Sequence, residues 1–280
     1  MEIKKARELG LCFGVRRAIK LLKEAVSKYG EIETLGPVAH NRQLVEELIK
    51  AGIKPINHID QVQGRILAIT THGTSPAMLS EIEARHIHTI DITCPIVRKA
   101  QNAARDLADA GFDVIIFGEA EHSEVKGLLG WAGDKGIAAL NVKQINMSRK
   151  LPYRLGVISQ TTQTQSAFIE FTTQLMVTFG FKAKEMRIVN TLCQATQKHQ
   201  EAALKLARKS QLMLVIGGYD SANTKRLAEA CSSIVETHLI EEAGEVNHSW
   251  LTDKHHIGIT AGASTPDDAI EKLVVRLKSL

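Results

Sequence analysis

The chain has 280 residues, of which 44% are hydrophobic, 24% charged and only 4% aromatic. That balance belongs to a folded chain with a real core and excludes disorder and collagen-like repeats. Lys and Arg number 35 and Asp and Glu 31, a net charge of +4, which suits a small anionic substrate and is too weak to argue for nucleic acid. No run free of Asp, Glu, Lys and Arg exceeds 15 residues, as in Ile66 to Ser80, so no segment is expected to span a bilayer. Met1 to Lys5 leads into no apolar signal core. The expected location is cytoplasmic, where disulfides are rare, so Cys12, Cys94, Cys193 and Cys231 need another explanation.

Along the chain, short apolar runs each meet a polar turn and then a helical pattern. Ile66 to Thr71 runs into HGTSP, Val114 to Phe117 into GEAEHSE and Leu155 to Ile158 into SQTTQT. Leu212 to Ile216 meets GGYDSANT, and His256 to Thr260 meets AGASTPD. Continuous β-branched runs alternating with helices predict parallel strands covered on both faces, hence an α/β fold. Ligands of such sheets sit beyond the carboxyl ends of the strands, the edge to which all five turns belong.

Three cysteines share one setting, an extended segment before and an amphipathic helix after: LGLCFGVRRAIKLL, DITCPIVRKAQNAA and NTLCQATQKHQEAA. They recur roughly every 90 residues. The spacing predicts three α/β lobes, 1–94, 95–192 and 193–280, with Cys94 at the boundary of the second and the terminal segments free to pack on neighbouring lobes. A cysteine at a helix N-terminus, followed by cations such as Arg16, Arg98 and Lys198, is favoured as thiolate. No C-x-x-C pair exists, so zinc-finger and ferredoxin spacings are absent. One ligand per lobe, meeting at a pseudo-threefold centre, would leave one iron of a cubane without a protein ligand. Taken singly, a free cysteine is most often a small buried hydrophobe, and for Cys231, inside RLAEACSSIVE, that reading is preferred.

A second set is polar: His40, His72, His122 with Glu124, Thr161, Ser221, Asn223 and Ser264. Histidines, hydroxyls and an amide at strand-to-helix turns are donors to anionic oxygens and suit a compact diphosphate. Walker and G-x-G-x-x-G sequences are missing, so nucleotide binding lacks its usual marks. Glu124, beside a cavity histidine, is placed as a proton relay.

In order along the chain, GLCFGVRRAI, GPVAHNRQLVEEL, THGTSP, TCPIVRKA, HSEVKGLLG, SQTTQ, LCQATQKHQEA, DSANTKRL and TAGASTPD resemble the LytB family, the iron–sulfur 4-hydroxy-3-methylbut-2-enyl diphosphate reductases ending the non-mevalonate isoprenoid pathway. The resemblance implies a [4Fe-4S] cluster on Cys12, Cys94 and Cys193, with one iron lacking a protein ligand. It implies diphosphate binding by His40, His72, His122, Ser221, Asn223 and Ser264, a catalytic set of Glu124, His122 and Thr161, and proton delivery by Glu124 with Thr161 near the substrate's hydroxyl end. The implied reaction is reductive loss of the allylic hydroxyl, with electrons arriving singly from ferredoxin or flavodoxin.

Two departures stand out. Ala222 occupies a position where many relatives carry a second serine, leaving its backbone N–H to serve the diphosphate. Ser123 replaces a proline found in some members between His122 and Glu124. Glu119 and Glu121 add negative charge near that turn and are read as solvated carboxylates. The competing functions are an iron–sulfur hydro-lyase, needing no reductant, a diphosphate-binding protein with structural cysteines, and a zinc enzyme.

Overall fold

The structure, a computed structural model, describes residues 1–145 and 154–280. The elements run β1 (Glu2–Lys5), α1 (Phe13–Tyr29), β2 (Ile32–Leu35), α2 (Arg42–Lys50), β3 (Ile53–Ile56), β4 (Ile66–Ile69) and α3 (Pro76–Ala84). They continue β5 (His88–Asp91), α4 (Pro95–Asp109), β6 (Asp113–Phe117), α5 (Ser123–Ala132), β7 (Gly136–Ala139), β8 (Arg154–Ser159) and α6 (Gln165–Phe179). The last are β9 (Glu185–Ile188), α7 (Gln194–Ala207), β10 (Leu212–Ile216), α8 (Ala222–Ser232), β11 (Thr237–Ile240), β12 (His256–Ala261) and α9 (Asp267–Ser279).

The strands form three four-stranded sheets, ordered β3-β2-β4-β5, β7-β6-β8-β9 and β11-β10-β12-β1. Each puts its first strand second and its third strand third, so one connectivity is used three times. In the last sheet the fourth strand comes from the chain's start: β1 pairs parallel with β12, Glu2 opposite His256. The segment 1–94 expected from the cysteine spacing therefore surrenders its first strand to the sheet of β10 to β12. Alternation of strands and helices does not say which edge a terminal strand will join.

By its internal contacts the chain forms two compact units, one of Met1–Glu31, Pro37–Lys54 and Gln194–Leu280, the other of Ile32–Gly36 and Pro55–Cys193. In the first, β10 alternates. Leu212, Leu214 and Ile216 pack with Ile270, Leu273 and Leu277 of α9, while Met213 and Val215 face Ala203, Leu227 and Cys231. In the second, Ile115 and Phe117 of β6 meet Phe168, Phe171 and Leu175 of α6. Val114 and Ile116 meet Ala104, Leu107 and Leu128 of α4 and α5. Two-sided burial of this kind, worth roughly 1.5–3 kcal/mol for each fully buried large side chain, makes these strands continuous apolar runs. No described helix is long and apolar enough to cross a membrane.

Candidate active site

The three singled-out cysteines occupy matching places. Cys12 and Cys94 are the N-cap residues of α1 and α4, and α7 begins directly after Cys193. Each donates its backbone N–H to a carbonyl two residues past the end of the neighbouring strand. The pairs are Cys12 to Ala263 after β12 at 2.9 Å, Cys94 to Thr71 after β4 at 3.0 Å and Cys193 to Thr161 after β8 at 2.8 Å. None of the three is in a disulfide and all are half-buried, whereas Cys231, also outside any disulfide, is buried. Burial pushes the Cys231 thiol up to about 11, far from a thiolate. This donor set, three half-buried soft sulfur ligands at helix starts without ring nitrogens, fits an iron–sulfur group. Among the described residues no three His, Cys, Asp or Glu side chains are gathered as a metal-holding set; Cys12 lies in the first unit, Cys94 and Cys193 in the second.

The second unit also carries His72, His122, Glu124 and Thr161. His122 caps α5, its Nδ1 accepting the Glu124 N–H at 3.2 Å; the neutral ring then carries its proton on Nε2. The His72 ring stands edge-on to it, with centroids 5.7 Å apart. Glu124 is only 2% exposed. Its Oε1 accepts the Thr161 N–H at 2.6 Å and its Oε2 accepts the Thr161 hydroxyl at 2.9 Å. Thr161 thus holds the buried carboxylate with its N–H and hydroxyl, and the Cys193 N–H with its carbonyl.

The first unit carries His40, Ser221, Ala222, Asn223 and Ser264. Ser221 caps α8, its hydroxyl accepting the Thr224 N–H at 3.3 Å. Ala222 and Asn223 are first-turn residues whose N–H groups have no intrahelical acceptor. Asn223 is 5% exposed, and both its amide atoms are buried without a hydrogen-bond partner among the described residues. Buried amides are otherwise almost always bonded, so this one, at a positive helix end, is poised for a ligand. Ser264 is also buried. Burial holds His40 below the ordinary imidazole range, with Asp220 opposing and Lys225 reinforcing the effect. Gly218 makes room for it, because a Cβ there would run into the His40 carbonyl.

The polar set is as regular as the cysteines. His40, His122 and Ser221 each lie five residues past the first strand of a sheet, at the start of α2, α5 and α8. His72 and Ser264 lie three past a third strand, β4 and β12; the matching place after β8 is Thr162, whose Oγ1 accepts from Gln160 at 3.2 Å.

Composition and spacing did not reveal the supports behind these side chains. The Thr74 carbonyl, two residues from His72, accepts the Trp131 indole N–H at 2.9 Å and the Gln101 amide at 3.3 Å. The Gln101 side chain in turn accepts from Arg98 at 3.0 Å, and Arg98 pairs with Asp91. The available signal was an indole on the glycine-rich helix GLLGW, since a partly buried indole N–H needs an acceptor. Thr191 ties the approach to Cys193 onto β8, accepting the Ser159 N–H at 2.8 Å and donating to its carbonyl at 2.6 Å. Glu121 is a solvent-exposed ion pair with Lys126 at 2.8 Å, which lowers its carboxyl below the usual range. The Glu119 N–H donates to the Gln160 side chain at 3.2 Å.

The sequence profile of the LytB protein family matches residues 3–278. The chain belongs to the LytB family. It is 43% identical over 280 residues to the 4-hydroxy-3-methylbut-2-enyl diphosphate reductase of Dehalococcoides mccartyi strain CBDB1, covering 100% of this chain and 99% of that one. It is 36% identical over 281 residues to the enzyme of the same name from Geobacter metallireducens, covering 100% and 98%. A solved structure of (E)-4-hydroxy-3-methyl-but-2-enyl diphosphate reductase, described as the terminal enzyme of the non-mevalonate pathway, aligns over 100% of both chains at 34% identity and a TM-score of 0.73. The E-1-hydroxy-2-methyl-but-2-enyl-4-diphosphate reductase of Plasmodium falciparum aligns at 26% identity and a TM-score of 0.93, covering 99% of this chain and 87% of that one. The three four-stranded parallel sheets of this chain are the fold that aligns with these solved relatives.

Proposed function

We propose that this LytB chain is an oxidoreductase that removes the hydroxyl of 4-hydroxy-3-methylbut-2-enyl diphosphate reductively, giving isopentenyl and dimethylallyl diphosphates at the end of the non-mevalonate pathway. The observation that carries the reading is the hold of Thr161 on Glu124 and Cys193 together, which couples a buried proton carrier to a cysteine of the redox set. In our reading each of the three sheets leads from an edge strand, β1, β5 or β9, into one cysteine, and Cys12, Cys94 and Cys193 hold a [4Fe-4S] cluster with one iron free of protein ligands. Bound there, that group supplies one-electron transfer and Lewis acidity.

The chain's own residues do the rest. The allylic C–O bond breaks as two electrons enter; one proton leaves with the hydroxyl as water and a second goes to an allylic carbon. Glu124 is the residue placed to pass these protons, through the Thr161 hydroxyl against its Oε2. His122, its proton on Nε2, joins His40 and His72 as donors to the diphosphate. Ser221, Ser264, the Asn223 amide and the N–H of Ala222 complete that set. Ala222 lacks a hydroxyl, a loss of roughly 1.5–3 kcal/mol for a hydrogen bond to a charged diphosphate oxygen. The electrons come from a protein carrier, ferredoxin or flavodoxin, and the setting is cytoplasmic.

Anaerobic reconstitution with iron and sulfide tests this. The expected product is a brown protein that bleaches with dithionite and converts the substrate to both five-carbon diphosphates when viologen is the reductant. A protein that stays colourless and inert refutes the redox reading, and turnover without any reductant identifies a hydro-lyase instead.

A further inference from the structure

A further concavity, lined by none of the residues named above for the site, lies in the first unit. It is a groove of about 540 Å³ between the N-terminal strand segment and α7. Its walls bring Lys4, Lys5 and Arg7 from one side and Lys198, Lys205 and Lys209 from the other, against two carboxylates, Glu8 and Glu201. Lys4 is paired with Glu2 at 2.9 Å and Lys5 with Glu271 at 2.7 Å. Arg7, Lys198, Lys205 and Lys209 are exposed and have no ion-pair partner among the described residues. A chain of net charge +4 thus concentrates unpaired cations in one groove.

Both walls lead to redox cysteines. Glu8 is four residues before Cys12, so no more than about 14 Å of extended chain separates them. On the other wall, α7 starts one residue after Cys193, and Lys198 stands only about 6 Å of helical rise from its first residue. Resting on the reductase reading, the reaction needs two electrons from outside, and the chain has no nicotinamide-binding fingerprint to collect them. Brief electron-transfer encounters use small, polar faces and depend on complementary charge for orientation and speed.

We propose that this groove is the docking face for an acidic protein electron carrier, which it seats against the chain segments leading to Cys12 and Cys193. Arg7, Lys205 and Lys209 steer the partner, and the two carboxylates fix where its own acidic groups fall. The groove is a positioning surface, separate from the residues that touch substrate.

The test compares the reconstituted holoenzyme with its Lys205→Glu/Lys209→Glu variant. Both side chains are exposed and unpaired, and unchanged circular dichroism checks the fold. A purified acidic ferredoxin and dithionite-reduced methyl viologen serve as alternative reductants, and ferredoxin binding to the immobilised enzyme is measured directly at low and high salt. The expected result is a rise of about tenfold in the KM for ferredoxin, a flatter salt dependence and weaker direct binding, with the viologen-driven rate unchanged. Equal ferredoxin binding by both forms overturns the proposal, as does a groove that prefers a single-stranded oligonucleotide to ferredoxin. Failure of viologen to drive turnover in the unaltered enzyme refutes the reductase reading alone, and the binding measurement still decides the groove.

Discussion

Thr161 uses every polar atom it has: its N–H and hydroxyl go to the two oxygens of Glu124, and its carbonyl to the Cys193 N–H. Glu124→Gln separates proton transfer from shape. The amide oxygen must face the Thr161 N–H, which leaves the NH₂ facing Oγ1, an atom that accepts as well as donates. The geometry survives and the transferable proton does not, so kcat should fall by about 10²–10⁴ with little change in KM. Steady-state rates with a small-molecule reductant check this; a kcat within twofold of the unaltered enzyme would remove Glu124 from the mechanism. His199 is a second buried titratable side chain, outside the residues named for the site. It is buried, which lowers it from the ordinary 6.5, with Glu8 opposing. Below that value the unfolded chain takes up a proton that the native state refuses, so the stability it contributes is full above about pH 6.5 and is lost as pH falls through the native value. His199→Gln should therefore flatten the fall in urea midpoint between about pH 7.5 and pH 5, measured against the unaltered chain.

Elements differ in how much of their place was written in their residues. Strands β4, β6, β8, β10 and β12 are buried on both faces, so each reads as a continuous apolar run followed by a polar turn. Strand β2, with Glu33 and Thr34 inside IETL, and edge strands such as β1 (EIKK) and β9 (EMRI) expose part of their length and carry charges that blur the pattern. The turns holding His40, His72, His122 and Ser221 were legible because their strands were, or because a helix cap followed. Close backbone approach was not legible. Gly218→Ala would press its Cβ into the His40 carbonyl, a backbone group that moves only with its whole turn. The expected outcome is a KM for substrate about tenfold higher, near 1.4 kcal/mol, with kcat retained, and weaker binding of inorganic diphosphate by calorimetry. Trp131→Phe removes one of two donors to the Thr74 carbonyl. Gln101 remains, so the stability cost should stay near 1 kcal/mol, read from the denaturant midpoint, while KM rises through His72.

At the scale of the whole chain, one strand order appears three times, and in each sheet a cysteine N–H reaches the same carbonyl position beyond the third strand. This regularity separates Cys12, Cys94 and Cys193 from Cys231 more sharply than exposure does, since Cys231 sits in α8 against Met213, Val215 and Leu227. The four cysteines should accordingly fail in two different ways. Replacing Cys12, Cys94 or Cys193 by Ser takes a half-buried thiol at a helix start and leaves the apolar packing intact. Iron and sulfide per chain should fall in each of those variants, while the denaturant midpoint of the cluster-free protein stays close to that of the unaltered chain. Cys231→Ser instead places a hydroxyl among aliphatic side chains, at a cost of about 1–3 kcal/mol unless it finds an acceptor. A serine in a helix does have one recourse, bonding back to the carbonyl one turn earlier, and that would bring the cost to the low end. Its midpoint should drop while iron, sulfide and reductant-driven turnover per folded chain remain intact. Loss of iron from Cys231→Ser at unchanged stability would break the division, because the repeated strand order offers that residue no equivalent in the other two sheets.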